Sequence, residues 1–464
     1  MLQDRYETDK LFDSILKLTN RMDPVLARID LLLEDEALYQ LIRDDLAKRY
    51  PQTEQTGRNS TPVEVVLRML AAKRLYGLSY ERTEYQVRDS LVLRQFCRIY
   101  FNEVPDDTTL IRWAGLIQPE TLECFNQRLT QLATQLKVTK GRKLRTDGTV
   151  VETNIHYPTD SSLLADSVRV LGRTLRRARE VLHEKADLPQ RVFRNRIRSV
   201  RRLARQVGEA MRKSGETARE RGLRAYRKLV KATQTTIKQA RQVLPALQAL
   251  KGEEAEKLTE ILETFIPRAG QVVSQTVRRV FQGEKVPADE KIVSLFEPHT
   301  AIIHRNKARK PTEYGHKVWL DEVEGGIVTR WQVLEGNPND DQQWLPSLEH
   351  HIQCFGRSPN QMSADRGVYS PQNEQVAQQR GVKRVILPQP GRKSEARKLH
   401  EKQRWFQQGR RWHAGVEGRI SVLKRRNELD RCRDHGIQGF EKWIGWGVIA
   451  SNLLAVGRKM ASKA

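Results

Sequence analysis

The stretch KLRTDGTVVETNI, residues 143–155, decides the fold class. Its β-branched residues at Thr146, Thr149, Val150, Val151 and Thr153 predict a strand, and Pro158 ends it. Everything before about residue 135 reads as helix, so the chain changes character at Gly141. Asp147 lies inside the predicted strand, where aspartate is disfavoured by propensity. An aspartate at such a position calls for another reason to be there.

Downstream of Pro287 strands return. Residues 314–320 and 326–334 flank the turn signal Glu324-Gly325-Gly326 and predict a hairpin. A helix over 340–354, a short strand near 361–364, a helix over 372–380 and a strand over 383–387 follow, with helices over 410–426 and 438–458 completing the chain. Strands alternating with helices predict an α/β layer architecture. Upstream, Thr61-Pro62-Val63-Glu64 predicts a capped helix whose Val63, Val66, Leu67 and Leu70 form one apolar face. Short helices such as this one and the one prepared by Pro105-Asp106-Asp107-Thr108 suit a helix-turn-helix DNA reader and a plain helical bundle equally.

Charge narrows the partner. Lys plus Arg number 82 against 57 Asp plus Glu, a formal net charge of +25, which points to a polyanion and first to nucleic acid. Residues 165–230 hold 20 Lys plus Arg and 7 Asp plus Glu, half of the net charge in about a seventh of the length. Val200, Leu203, Ala204 and Val207 recur between the arginines at helical spacing, predicting a basic helical hairpin whose charged face tracks a DNA backbone. The four cysteines are scattered and fit a reducing cytoplasm. The N-terminus is charged from the start, unlike a secretory signal, and the apolar run 444–456 is too short for a bilayer. With no Gly-rich loop ending in Gly-Lys-Ser/Thr, nucleotide use has no support. His350, His351 and Cys354 are spaced like metal ligands but lack a fourth partner, and read as ordinary helix residues. The tryptophans at 405, 412, 443 and 446 read as core.

Asp365 stands at the predicted end of a strand beside Gly367, where open α/β sheets place their ligands. Carboxylates suit Mg²⁺, and two such ions about 3.5–4 Å apart serve phosphodiester displacement. In the predicted 410–426 helix, His413, Glu417 and Lys424 project from one face.

Taken in order, three blocks resemble the signature of DDE transposases of bacterial insertion sequences: Arg145-Thr-Asp147-Gly-Thr149, Ser363-Ala-Asp365-Arg-Gly-Val-Tyr-Ser370, and Glu417 with Lys424 following. Residues 105–110, 153–160, 313–317 and 447–453 are similar to such enzymes as well, so the likeness spans nearly the whole chain. Where the family carries an arginine four residues before the glutamate this chain has His413, and where it carries a tyrosine three residues further back it has Arg410. The resemblance implies an α/β RNase H-like catalytic domain with a long helical insertion, plus an all-α N-terminal domain. The expected boundaries are 1–135 for a helical DNA-binding domain, 136–164 with 290–464 for the split catalytic domain, and 165–289 for the basic insertion.

It also implies that Asp147, Asp365 and Glu417 are the catalytic residues and hold two Mg²⁺ ions, with Mn²⁺ as substitute. His413, Arg419, Lys424 and Arg425 are the expected DNA contacts, Lys424 at the element end. The implied reaction is cleavage at the element ends followed by joining to target DNA, by a homodimer in the bacterial cytoplasm at the nucleoid. A nuclease of the same fold that cuts without joining, and a non-catalytic DNA-binding remnant, remain as alternatives.

Overall fold

The computed structural model describes residues 1–19, 22–182, 188–304 and 310–463. It divides into two units, residues 1–154 with 316–464, and residues 155–315.

The first unit opens with eight helices: α1 (Lys10–Thr19), α2 (Pro24–Leu32), α3 (Glu36–Ala47), α4 (Val63–Tyr76), α5 (Tyr80–Asp89), α6 (Leu91–Phe96), α7 (Asp107–Leu116) and α8 (Pro119–Gln135). Asp23, Asp35, Ser79, Ser90 and Asp106 cap five of them by accepting backbone N–H bonds. The helix predicted from Thr61 to carry one apolar face departs from that expectation. α4 begins at Val63 with Pro62 at its cap, and it is buried from Val63 to Leu75 except Glu64. Its polar residues are absorbed by pairing instead of facing water. Arg68, fully buried, donates to Asp30 at 2.6 Å and to Glu64 at 3.0 Å.

The strand read from residue 143 is β1 (Lys143–Glu152). In the second unit follow α9 (Asp160–Leu182), α10 (Ile197–Met211), α11 (Glu216–Gln248), α12 (Glu253–Thr276) and a short strand β2 (Ala301–His304), which pairs antiparallel with residues 312–315. The strand beginning there, β3 (Thr312–Val323), carries the chain into the first unit, where β4 (Ile327–Leu334) completes the predicted hairpin across the turn 324–326. Then come α13 (Trp344–Phe355), β5 (Gln361–Ser363), α14 (Pro371–Gln379), β6 (Arg384–Ile386), α15 (Glu395–Lys402), α16 (Arg404–Arg426) and α17 (Gly436–Ala461). Within the first unit the sheet order is β4-β3-β1-β5-β6, with β3–β4 antiparallel and β1–β5 and β5–β6 parallel.

The helices expected to form a separate domain over 1–135 share one core with this sheet. Leu33 and Leu129 from the helices belong to the same apolar cluster as Leu144, Trp319, Met362 and Ile449. Asn452 of the buried helix α17 joins the two parts. Its Nδ2 donates to Asn126 Oδ1 on α8 at 2.8 Å and to Val328 O on β4 at 2.7 Å, and its Oδ1 accepts from Val328 N. A buried amide satisfied by two elements at once fixes their register.

The basic segment is a four-helix bundle with its own core, in which Leu171, Leu203, Leu229 and Leu262 meet. This unit spans 155–315, wider than the expected 165–289. α9 starts at Asp160, and Ile292 and Leu295 beyond α12 enter the bundle core. Arg268 and Gln275 hold that return segment by donating to the carbonyls of Leu295 and Ile292. Among the described residues no helix is long and apolar enough to cross a membrane.

Candidate active site

The sheet order makes β1 and β5 parallel neighbours, with Lys143 opposite Gln361 and Arg145 opposite Ser363. Asp147 and Asp365 each lie two residues beyond the last of these pairs, Asp365 just past the end of β5, near enough for the charge of Asp365 to act on Asp147. Asp147 Oδ1 accepts the Gly148 N–H at 2.7 Å. Burial pushes its carboxyl up to about 6, with the nearby charge of Asp365 adding to the rise. Asp365 moves the opposite way. Its side chain is 72% exposed, and Oδ1 meets His413 Nε2 at 3.1 Å, a contact that holds the carboxyl below its ordinary range.

His413 comes from α16, which packs on β1, β5 and β6. Two glycines permit the close approach. A Cβ at Gly409 would lie 2.5 Å from Ile386, and one at Gly415 would lie 2.5 Å from the Arg145 guanidinium. Arg145 of β1 donates to the Trp412 carbonyl of α16 at 2.6 Å and stacks 4.9 Å from the Trp412 ring centroid. Its other nitrogens grip both oxygens of Glu322, on β3, at 2.8 and 2.9 Å. Arg419 of α16 reaches the same Glu322 at 3.2 Å. Glu322, 1% exposed, thus ties β1, β3 and α16 together two residues from Asp147.

Two further groups border the aspartates. Asp340 adds a minor upward push on Asp147, and Lys317 of β3 pairs with Asp340 at 2.6 Å while its stem passes 3.3 Å from where a Gly148 Cβ would be. Neither role was legible in the sequence, where residue 340 read only as the start of a helix. Lys317 was noted there as part of a flanking block.

The residues expected to work together are gathered unequally. Asp147, Asp365 and His413 converge. Glu417 lies one turn beyond His413 on α16, exposed, and among the described residues it makes no hydrogen bond or ion pair. Arg419 is engaged by Glu322 and by Ser451 Oγ at 3.4 Å, and Lys424 donates to the Val150 carbonyl at 2.7 Å. Arg425 is exposed and contacts Ser421. His351 meets the Gly141 carbonyl at 3.0 Å, and Cys354 contacts His350. Trp443 and Trp446 are buried as expected, whereas Trp405 and Trp412 are half-buried.

Among the described residues no three His, Cys, Asp or Glu side chains stand close enough to cage a metal unaided. A hard divalent cation held by one or two carboxylates, with water and phosphate completing its shell, needs less. Asp147 and Asp365 fit that demand, because their mutual repulsion is the kind a bound cation relieves.

The raised carboxyl makes a prediction. Between its ordinary range near 4 and about 6 the folded protein holds a proton at Asp147 that the unfolded chain has released, so stability contributed by this group falls as pH rises through that window. Without divalent metal, Asp147→Asn should therefore gain on the wild type from pH 4 to 6, by on the order of 2 kcal/mol, and keep a constant advantage above it. Thermal melts in a chelator across pH 4–8 check this; a difference independent of pH would contradict the raised carboxyl.

Residues 13–115 match the family described as a transposase domain (DUF772). No curated protein and no solved structure matches the chain. The family match supports a transposase of insertion-sequence type.

Proposed function

We propose that this transposase cleaves DNA at the ends of its element and joins them to target DNA, using Asp147, Asp365 and Glu417 as carboxylate ligands of divalent metal. The observation that carries the reading is the convergence of Asp147, on β1, with Asp365, two residues past the end of the neighbouring parallel strand β5, in a chain whose N-terminal part matches a transposase domain. The strand order supports an RNase H-like sheet in the sense expected: within the first unit Asp147 lies on the first strand and Asp365 follows the fourth.

The residues divide the work. Asp147 and Asp365 would hold Mg²⁺ or Mn²⁺, with Glu417 as a third carboxylate offered from α16. His413 Nε2 orients Asp365 Oδ1, and the Arg145–Glu322–Arg419 network holds α16 against the strand that carries Asp147. When bound, a pair of such ions supplies an activated oxygen and offsets charge on the leaving one during phosphodiester displacement. Lys317, beside Asp340, is placed as a cation at the rim of the same site. The DNA partner follows from the transposase reading. An open cleft of about 900 Å³ in the first unit, lined by Arg49, Arg58 and Arg112, supports backbone contact by the N-terminal helices. Arg425, exposed on the last turn of α16, would serve the same end.

The test uses DNA flanking the coding sequence as end fragments, with a target plasmid and Mg²⁺ or Mn²⁺. Joined products are expected from the wild type, and a loss of about 10²-fold or more from Glu417→Gln. Cleavage without joining would replace the reading with that of a nuclease. Binding without either product would make the chain a non-catalytic remnant.

A further inference from the structure

The second unit carries charge that its own fold does not use. Along α10, Arg198, Arg201, Arg202 and Arg205 are all exposed, and among the described residues none of the four forms an ion pair or a hydrogen bond. At 3.6 residues per turn they fall within an arc of about 100° and span about 10 Å of helix. Val200, Leu203 and Val207 occupy the opposite side, buried in the bundle core. Beside the stripe a groove of about 360 Å³ between α10 and α11 adds Lys213, Arg221, Arg224 and Lys228, of which Arg224 is paired with Glu220. Glu209 is the acidic residue at the groove.

Four arginines held side by side along about two turns of one rigid helix repel one another. Ordinary helix surfaces intersperse signs, and this one does not. A basic amphipathic helix can also lie on a membrane, but that use needs its apolar face free. Here the apolar face is consumed by the bundle. What remains is a row of planar guanidinium forks without apolar contact surface, which suits phosphates spaced along a polymer.

We propose that the arginine stripe of α10, with the basic groove beside it, is a docking face for the backbone of duplex DNA, binding without regard to sequence. That the polymer is DNA rests on the transposase reading; that the face takes a phosphate polymer rests on the charge pattern alone. The face supplies affinity and leaves the choice of sequence to other elements, because phosphate contacts carry no base information.

The experiment measures binding of the full-length protein to a random-sequence DNA duplex over a salt series. The wild type is compared with a variant carrying R198A, R201A, R202A and R205A, and with one in which the same four are lysine. Each phosphate contact contributes about 0.9 to the slope of log affinity against log salt. The alanine variant should lower that slope by about 3–4 and weaken binding by roughly 100-fold at low salt. The lysine variant should keep most of both. R201A and R205A alone, each expected to lower the slope by about 1, keep the test decisive if the quadruple variant does not fold. An unchanged slope overturns the proposal, as does loss of binding to phosphatidylserine vesicles with DNA binding intact. The end-joining assay separates the two readings: joining with an unchanged slope removes the stripe alone, and a lowered slope without joining removes the transposition chemistry alone.

Discussion

Asp365→Asn is expected to abolish cleavage and joining, by about 10²–10³-fold or more, while leaving DNA binding at or slightly above the wild-type level. The substitution keeps the shape of the side chain and removes only its charge. Asp365 is largely exposed, and His413 can still meet the amide oxygen, so the fold has little to lose. What disappears is one of two neighbouring carboxylates, one on β1 and the other just past the end of β5. With that neighbour neutral, the Asp147 carboxyl should fall back toward its ordinary range, since part of its rise comes from the Asp365 charge. Removing a negative charge from a surface proposed to receive DNA cannot weaken the electrostatic part of binding. Activity and mobility-shift assays on the same preparations check both halves. Equal turnover by the variant would refute the assignment; loss of binding together with turnover would mean that Asp365 serves the fold.

The largest expected effect on stability belongs to a residue outside the aspartate pair. Glu322→Ala should destabilise the protein by about 3–5 kcal/mol, because it strands two cations that are mostly shielded from water. The Arg145 side chain is 12% exposed and that of Arg419 21%, and both point at the Glu322 carboxylate. Removing one partner of such a group is far costlier than never having built it, as the remaining charges keep their desolvation and lose their attraction. The network also holds α16 on β1, so activity should fall even where the variant is folded. Urea unfolding should show a lower midpoint at an unchanged slope. Glu322→Gln, which retains one acceptor, should lose less. A cost below 1 kcal/mol for the alanine variant would mean that water already screens the network.

Local pattern carried the elements of this fold and long-range packing carried the rest. β1, the β3–β4 hairpin, β5, β6 and α17 were legible because each is bounded by turn residues or written as one apolar run. α4 was misjudged as amphipathic because Arg68, Lys73 and Arg74 look like a solvent face. Nothing within the helix reveals that Asp30, Glu428 and aromatic rings neutralise them from elsewhere. The extent of the N-terminal region was hidden for the same reason, as Asn126 and Asn452 lie 326 positions apart. In the site, Asp147 stood out because it is wrong for a strand, and Asp365 because it ends one. Glu322 and Asp340 gave no such signal, one being an acidic residue near a turn and the other the first of a helical turn. His413 was read as sharing a helix face with Glu417 and as a DNA contact, and the fold turns it into the partner of Asp365.

The neighbours of β1 have a consequence for the order in which the protein can be made. Both strands that flank it in the sheet, β5 and β3 (which begins only at Thr312), are made after residues 155–311. At about 5–20 residues per second, a ribosome spends roughly 10–30 s on that intervening stretch. Throughout that interval β1 has emerged with two unpaired edges and an aspartate among its apolar residues. The bundle, whose contacts lie within its own segment, can close as it emerges. The sheet of the first unit must wait for residues synthesised after β1, so the Asp147–Asp365 pair is among the last features of the nascent chain to assemble.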